Sequence, residues 1–228
     1  MCSPRSAKRS RRRDGVASAK LTSMVAQRSL PLEEDSDQRV LMAGTWKDYE
    51  TLLAMRGDRA GVRLYYLDGS IEIMSPGSDH ASNKKKLARL LEHWAIETGV
   101  EIEGFGSWTL KRRQQKAGAE PDECYTLGDR GQKKVPDLAL DVEWSRVLGL
   151  DKEEIYKRLG VRELWTLKSD GALVVRVLVD GEWVPSKKSK LLPMLDLAWL
   201  ASFLEIPTQT KAVLALREAL RTKKRSRK

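Results

Sequence analysis

Two apolar runs of strand length, "PDLALDVE" and "RELWTLK", are separated by one short amphipathic helix, and this arrangement constrains the fold more than any other feature of the chain. The helix reads from about residue 151 to 159 and stops at Gly160. Parallel strands cannot be joined by a tight turn, so strand, helix and strand in this order suit a βαβ crossover. Other junctions are tight. "VRLYYLDGSIEIMSPG" alternates on both sides of Asp68-Gly69, a hairpin dipeptide, and ends at Pro76-Gly77. Asp180-Gly181 marks a second hairpin.

Helices complete the pattern. "TWKDYETLLAMRG" is read as the first ordered element, with Thr45 as its cap and Gly57 as its stop. Residues 81–98 place Leu87, Leu90, Leu91, Trp94 and Ala95 on one face, with Lys84 to Lys86 read as solvated. "VEIEGFGSWTLKR" and "PDECYTLG" are β-compatible, and helices are expected near 193–204 and 208–222. Trp144 and Trp165 are expected in the core. The whole predicts an α/β protein of the α+β kind, a central mixed sheet flanked by helices.

The formal charge of +10 suggests a polyanion partner, but its location weakens that argument. Residues 1–20 carry seven Lys/Arg against one acid, and residues 207–228 carry eight against one. The remaining 186 residues sum to −3. Basic ends can add non-specific affinity for nucleic acid, or simply be solvated. We expect residues 1–39 to be a disordered basic tail, 40–206 the folded domain, and 207–228 a C-terminal helix and basic tail. A translation start at Met24 or Met42 is a further expectation. The N-terminus lacks the apolar core of a signal peptide, no run approaches a membrane span, and two cysteines make no disulfide framework. A cytoplasmic location is expected.

Chemistry concentrates in "EPDECY" and "PDLALDVE". Asp141 and Glu143 are two apart, which on a strand puts them on one face, with Leu140 and Val142 on the other. Paired carboxylates are costly to bury without a cation. Mg²⁺, with Mn²⁺ as a substitute, would relieve that cost, and Asp122 on the adjacent strand would be the third ligand. The pair alone admits another reading, in which Glu143 faces solvent and Asp141 pairs with an Arg or Lys. There is no phosphate-binding glycine loop, dinucleotide fingerprint or Ser/His/Asp set in recognisable context.

Five stretches in order, "YYLDGSIEIMSPGSDH", "EPDECYTLG", "VPDLALDVEWS", "IYKRLGVRELWTL" and "LDLAWLASFL", resemble the Uma-two family of restriction endonucleases, within the PD-(D/E)XK nuclease superfamily. The resemblance covers about residues 41–206. It implies a restriction-endonuclease-like core, a bacterial source, and metal-dependent hydrolysis of DNA phosphodiesters. It matches Asp122 to the aspartate of the Pro-Asp element and Asp141 to the acidic residue of the (D/E)XK element, where family members usually carry Glu. Glu143 stands where the superfamily has lysine, a departure. Lys152, which precedes the matched Tyr156, is the candidate substitute if its stem reaches back; otherwise it is an exposed helix residue. His80 matches a family histidine and could start a helix, contact phosphate or act as a base. Glu72 ranks behind these as an addition to the acidic cluster. The catalytic set expected is therefore Asp122, Asp141, Glu143 and Lys152, with Mg²⁺ on the three acids and DNA as partner, and a homodimer as a possibility. The alternative is a catalytically degenerate module of the same fold that binds nucleic acid or a protein.

Overall fold

Residues 37–59, 61–143 and 149–225 are described by the computed structural model, all within one unit spanning residues 33–228. The helix read as the first ordered element is preceded by a strand. Strand β1 (Gln38–Ala43) precedes the first helix and pairs antiparallel with β3. Helix α1 (Trp46–Arg56) follows, with Thr45 and Asp48 forming a reciprocal capping box. Strands β2 (Arg63–Leu67) and β3 (Ser70–Ser75) are the hairpin expected at Asp68-Gly69, and Asp68 adopts the left-handed conformation such turns require.

Helix α2 (Ser78–Thr98) ends at Gly99, left-handed at its C-cap. The segment "VEIEGFGSWTLKR" is not one strand. It divides into β4 (Ile102–Gly104) and β5 (Leu110–Arg112), which join different sheets. A three-residue strand, β6 (Ala117–Ala119), has too little apolar pattern to be read from sequence. Then come β7 (Glu123–Leu127), β8 (Leu138–Glu143), α3 (Lys152–Leu159) and β9 (Glu163–Lys168). Strands β10 (Leu173–Val179) and β11 (Glu182–Ser186) form the second hairpin, and α4 (Leu197–Ser202) and α5 (Gln209–Arg225) close the chain.

The strands form a five-stranded sheet, β1-β3-β2-β6-β5, and a six-stranded sheet, β11-β10-β9-β8-β7-β4. In the second, β8 and β9 are parallel across α3 and the other pairings are antiparallel. The expected mixed α+β architecture is therefore present. One face of the six-stranded sheet packs Leu138, Leu140, Val142 and Trp165 against α2, α4 and α5. The other face, with Ala139 and Leu164, meets α3 and the inner side of the five-stranded sheet through Tyr65, Ile155 and Tyr156. Helix α1 covers that sheet's far side through Tyr49. The close approach there needs Gly118, whose added Cβ would lie 2.5 Å from the Tyr49 hydroxyl and 2.6–2.7 Å from its ring. Gly118→Ala should therefore destabilise the chain by about 1–3 kcal/mol in urea unfolding, as overpacked cores do.

The helix expected near 208–222 is α5, and its Ala212, Val213, Leu216 and Leu220 are core residues packed with α2. One further difference has a physical cause. Lys86 is not solvated: it is buried, and its Nζ donates to the carbonyls of Leu204 and Ile206 at 2.9 Å each. Lys84 pairs with Glu123 at 3.3 Å. Trp165 is buried, as expected, and Trp144 lies outside the described residues. No helix among the described residues is long and apolar enough to cross a membrane.

Candidate active site

Asp122 and Asp141 face each other across β7 and β8. The antiparallel register pairs Glu123 with Leu140, and one step further brings the two aspartates together. The Asp122 amide donates to Asp141 Oδ1 at 3.0 Å, and the Val142 amide donates to Asp122 Oδ2 at 2.9 Å. Both carboxylates are buried, so their mutual repulsion is barely screened. Something must compensate it.

His80, in the first turn of α2, is one compensating group. Its Nε2 lies 2.8 Å from Asp122 Oδ2 and its Nδ1 lies 3.1 Å from Asp37 Oδ2. A neutral imidazole has one donor, and two carboxylates call for two. Burial alone would lower the pKa of His80, but the two aspartates overcome it and raise it to about 9. Burial likewise works against ionised Asp122, yet the bond to His80 and its charge hold that carboxyl down to about 2. Asp37 is lowered too: burial opposes ionisation, and His80, the Gly77 amide and Arg39 outweigh it.

Lys152 compensates the other aspartate. It stands at the first position of α3, where a cation is disfavoured by the helix dipole. Its side chain nevertheless turns inward, with Nζ 3.4 Å from Asp141 Oδ2 and donating to the Tyr65 hydroxyl at 3.1 Å. The same Nζ lies 4.3 Å from the centre of the Tyr65 ring. One turn along α3, the Tyr156 hydroxyl lies 3.1 and 3.0 Å from the two oxygens of Asp141. Burial pushes the pKa of Asp141 up, Lys152 only partly opposing it. Burial first, then these aspartates, raise both tyrosines well above the ordinary phenol value.

Glu72 is buried on β3, opposite Tyr65 of β2. It accepts from Arg39 at 2.8 Å and from the Leu150 amide at 2.7 Å. Arg63 Nε approaches Asp122 Oδ1 to 3.6 Å, too long for a hydrogen bond. The network thus gathers four carboxylates, on residues 37, 72, 122 and 141, and four cationic groups, on residues 39, 63, 80 and 152.

The structure does not bring Glu143 to this set. Alternation puts it on the Asp141 side of β8, but at the strand's end, where its cross-strand partner is Lys168. The two side chains form a half-exposed ion pair. Among the described residues, no three His, Cys, Asp or Glu side chains are grouped as a metal-holding set. What remains for a cation is the Asp122–Asp141 pair, in which Asp122 Oδ1 is buried without a hydrogen-bond partner. Two carboxylates, one of whose oxygens makes no hydrogen bond and has only the Arg63 guanidinium 3.6 Å away, are a donor set that fits Mg²⁺, which needs few protein ligands.

Asp37, Arg39, Arg63 and Tyr65 gave no signal in the sequence. Asp37 and Arg39 fall in the stretch read as a tail, and Arg63 and Tyr65 look like ordinary hairpin residues. Asp37 meets His80 and Arg39, on β1, meets Glu72, so both lie within the fold, and a chain starting at Met42 would lack them.

A sequence model of the family described as "Uma2: Putative restriction endonuclease" matches residues 46–206. No curated protein matches the chain. Among solved structures, the crystal structure of "a putative nuclease belonging to DUF820 from Anabaena variabilis ATCC 29413" is similar at 15% identity, with a TM-score of 0.43, covering 62% of this chain and 90% of that one.

Proposed function

The chain belongs to the Uma2 family of restriction-endonuclease proteins, and from that premise we propose that it is a metal-dependent endonuclease cutting DNA at Asp122, Asp141 and Lys152. The observation that carries this reading is the position of Lys152. The strand has glutamate where the superfamily has lysine, and a lysine from the next helix reaches the same aspartate. Asp122 and Asp141 would hold Mg²⁺, or Mn²⁺ in its place. When bound, the ion acidifies a water and offsets charge building on the phosphate.

The chain's own groups supply the rest. His80, braced by Asp37, fixes the orientation of Asp122 and keeps it ionised. Tyr156 holds Asp141 from the α3 side. Lys152 Nζ, steadied by Tyr65, presents a positive charge beside Asp141, where it can donate to a phosphate oxygen or the attacking water. The test is cleavage of supercoiled plasmid by the purified full-length chain in Mg²⁺ or Mn²⁺, against EDTA. Failure to cut DNA in either metal contradicts the reading for that substrate. Lys152→Met should lower kcat by about a hundred-fold or more, the scale of a lost proton-transfer or oxyanion-stabilising group. Glu143→Ala should leave cleavage within a few-fold, because an exposed ion pair contributes about 0–1 kcal/mol.

A second reading is favoured by the charge balance. Four acids matched by four cationic groups need no metal for neutrality, which suits a non-catalytic module of the same fold. That module would retain DNA without cutting it, and would release it when residues 1–36 and 207–228 no longer carry their basic charge.

A further inference from the structure

Lys152 can meet Asp141 only if the start of α3 is held in place. The six-stranded sheet holds Glu153, whose carbonyl accepts from Trp183 Nε1 at 2.7 Å and whose side chain accepts from Arg176 Nε at 3.0 Å, and the five-stranded sheet holds the two residues just before the helix. The Leu150 amide, two residues before Lys152, donates to Glu72 Oε2 at 2.7 Å. The other oxygen, Glu72 Oε1, accepts from Arg39 at 2.8 Å. Arg39 in turn lies 3.4 Å from Asp37, which meets His80. His80 meets Asp122, Asp122 meets Asp141, and Asp141 faces Lys152. The contacts close into a ring beside Tyr65, leaving α3 at Lys152 and returning to the chain at Leu150, one residue ahead of the helix cap Asp151.

Gly149 lies against that ring. An added Cβ would lie 2.5 Å from Glu72 Oε2 and 2.8 Å from an Arg39 guanidinium nitrogen. Neither neighbour can give way easily, because both side chains are buried and each holds the other. A side chain at position 149 would therefore have to displace the Glu72–Arg39 pair or shift the backbone that precedes α3.

We propose that Glu72, fixed by Arg39 and approached by Gly149, is a positioning residue that sets the start of α3 and so aims Lys152 at Asp141. The proposal rests on Lys152 acting at the site. A catalytic group displaced by about 1 Å can lose about a hundred-fold in rate, so a contact this close to the lysine has consequences beyond packing.

The test uses the full-length chain and two variants, Gly149→Ala and Glu72→Gln. The alanine forces the backbone away from Glu72. The glutamine keeps the volume but turns one acceptor into a donor, which cannot serve both Arg39 and the Leu150 amide. Each protein is treated briefly with limiting acetic anhydride, and lysine acetylation is read by mass spectrometry. Lys86 is the internal control, since it is as buried as Lys152 and is held by carbonyls of a distant segment. Lys152 acetylation should rise about ten-fold in both variants while Lys86 stays at its wild-type level, the signature of local rather than global opening. Lys152 remaining protected overturns the proposal, as does a parallel rise at Lys86 in both variants. Plasmid cleavage, measured alongside, should lose kcat with KM unchanged. Acetylation does not depend on turnover, so a chain that never cuts DNA disproves the nuclease reading while leaving the positioning result legible.

Discussion

Asp141→Asn is expected to lower Mg²⁺-dependent plasmid cleavage about a thousand-fold and to leave the chain folded. Losing a carboxylate ligand removes several kcal/mol of transition-state stabilisation, and each 1.36 kcal/mol is a factor of ten. The asparagine keeps one acceptor oxygen for the Asp122 amide and the Tyr156 hydroxyl. Its amide nitrogen is a donor facing Lys152 and can hold no cation. Folding should tolerate the change, because burial already disfavours the ionised form of Asp141. Asp122→Asn should differ. That carboxyl is held down to about 2 against the cost of burial, so its charge contributes stability that asparagine cannot supply. Both variants should be inactive, and Asp122→Asn should unfold at clearly lower urea. Cleavage by Asp141→Asn within ten-fold of wild type would remove Asp141 from the reaction.

His80→Ala is expected to cost about 3–5 kcal/mol of stability, the usual result of deleting one partner of a buried ion pair. The loss leaves Asp37 and Asp122 facing a gap, both buried and both short of a donor. The pH dependence identifies the cause. The pKa of His80 is raised from 6.5 to about 9, so its stabilisation is full below about pH 6.5 and is lost as pH rises through about 9. The pKa values of Asp37 and Asp122 are lowered, so their share is present above their ordinary value of 3.8 and fades as pH falls below it. Wild-type stability should therefore decline from about pH 6.5 to 9, and His80→Ala should lack that decline. Urea midpoints at pH 5, 7 and 9 would decide it. An equal decline in the variant would assign it to other groups.

Much of the site was legible because strand alternation is a strong rule. It placed Asp141 on the face opposite Leu140 and Val142, and the tight hairpin at Asp68-Gly69 and the crossover through α3 followed from turn chemistry and helix length. Lys152 was recognised only as a lysine able to reach back, since a sequence does not say where a helix starts in space. Glu143 shows the limit of alternation. The rule gives a residue's face but not where the covering layer stops, and Glu143 lies beyond it beside Lys168. Asp37 and Arg39 were hidden for another reason. They follow a long polar leader, and β1 is largely exposed, so no apolar period marks it. The burial of Lys86 is hidden by its neighbours, since two further lysines suggest a wet helix face. The fold class does not hang on such single residues, because it follows from the long, strongly patterned elements.

The proposed nuclease site requires Asp122 and Asp141 to hold one metal ion together. A crystal of the full-length chain soaked in Mn²⁺ and measured for anomalous scattering would show whether they do. One peak is expected within coordination reach of both aspartates, beside Lys152, with Glu143 still paired to Lys168. A peak at Glu143 without Asp122, or no peak at the aspartate pair at saturating Mn²⁺, would contradict it.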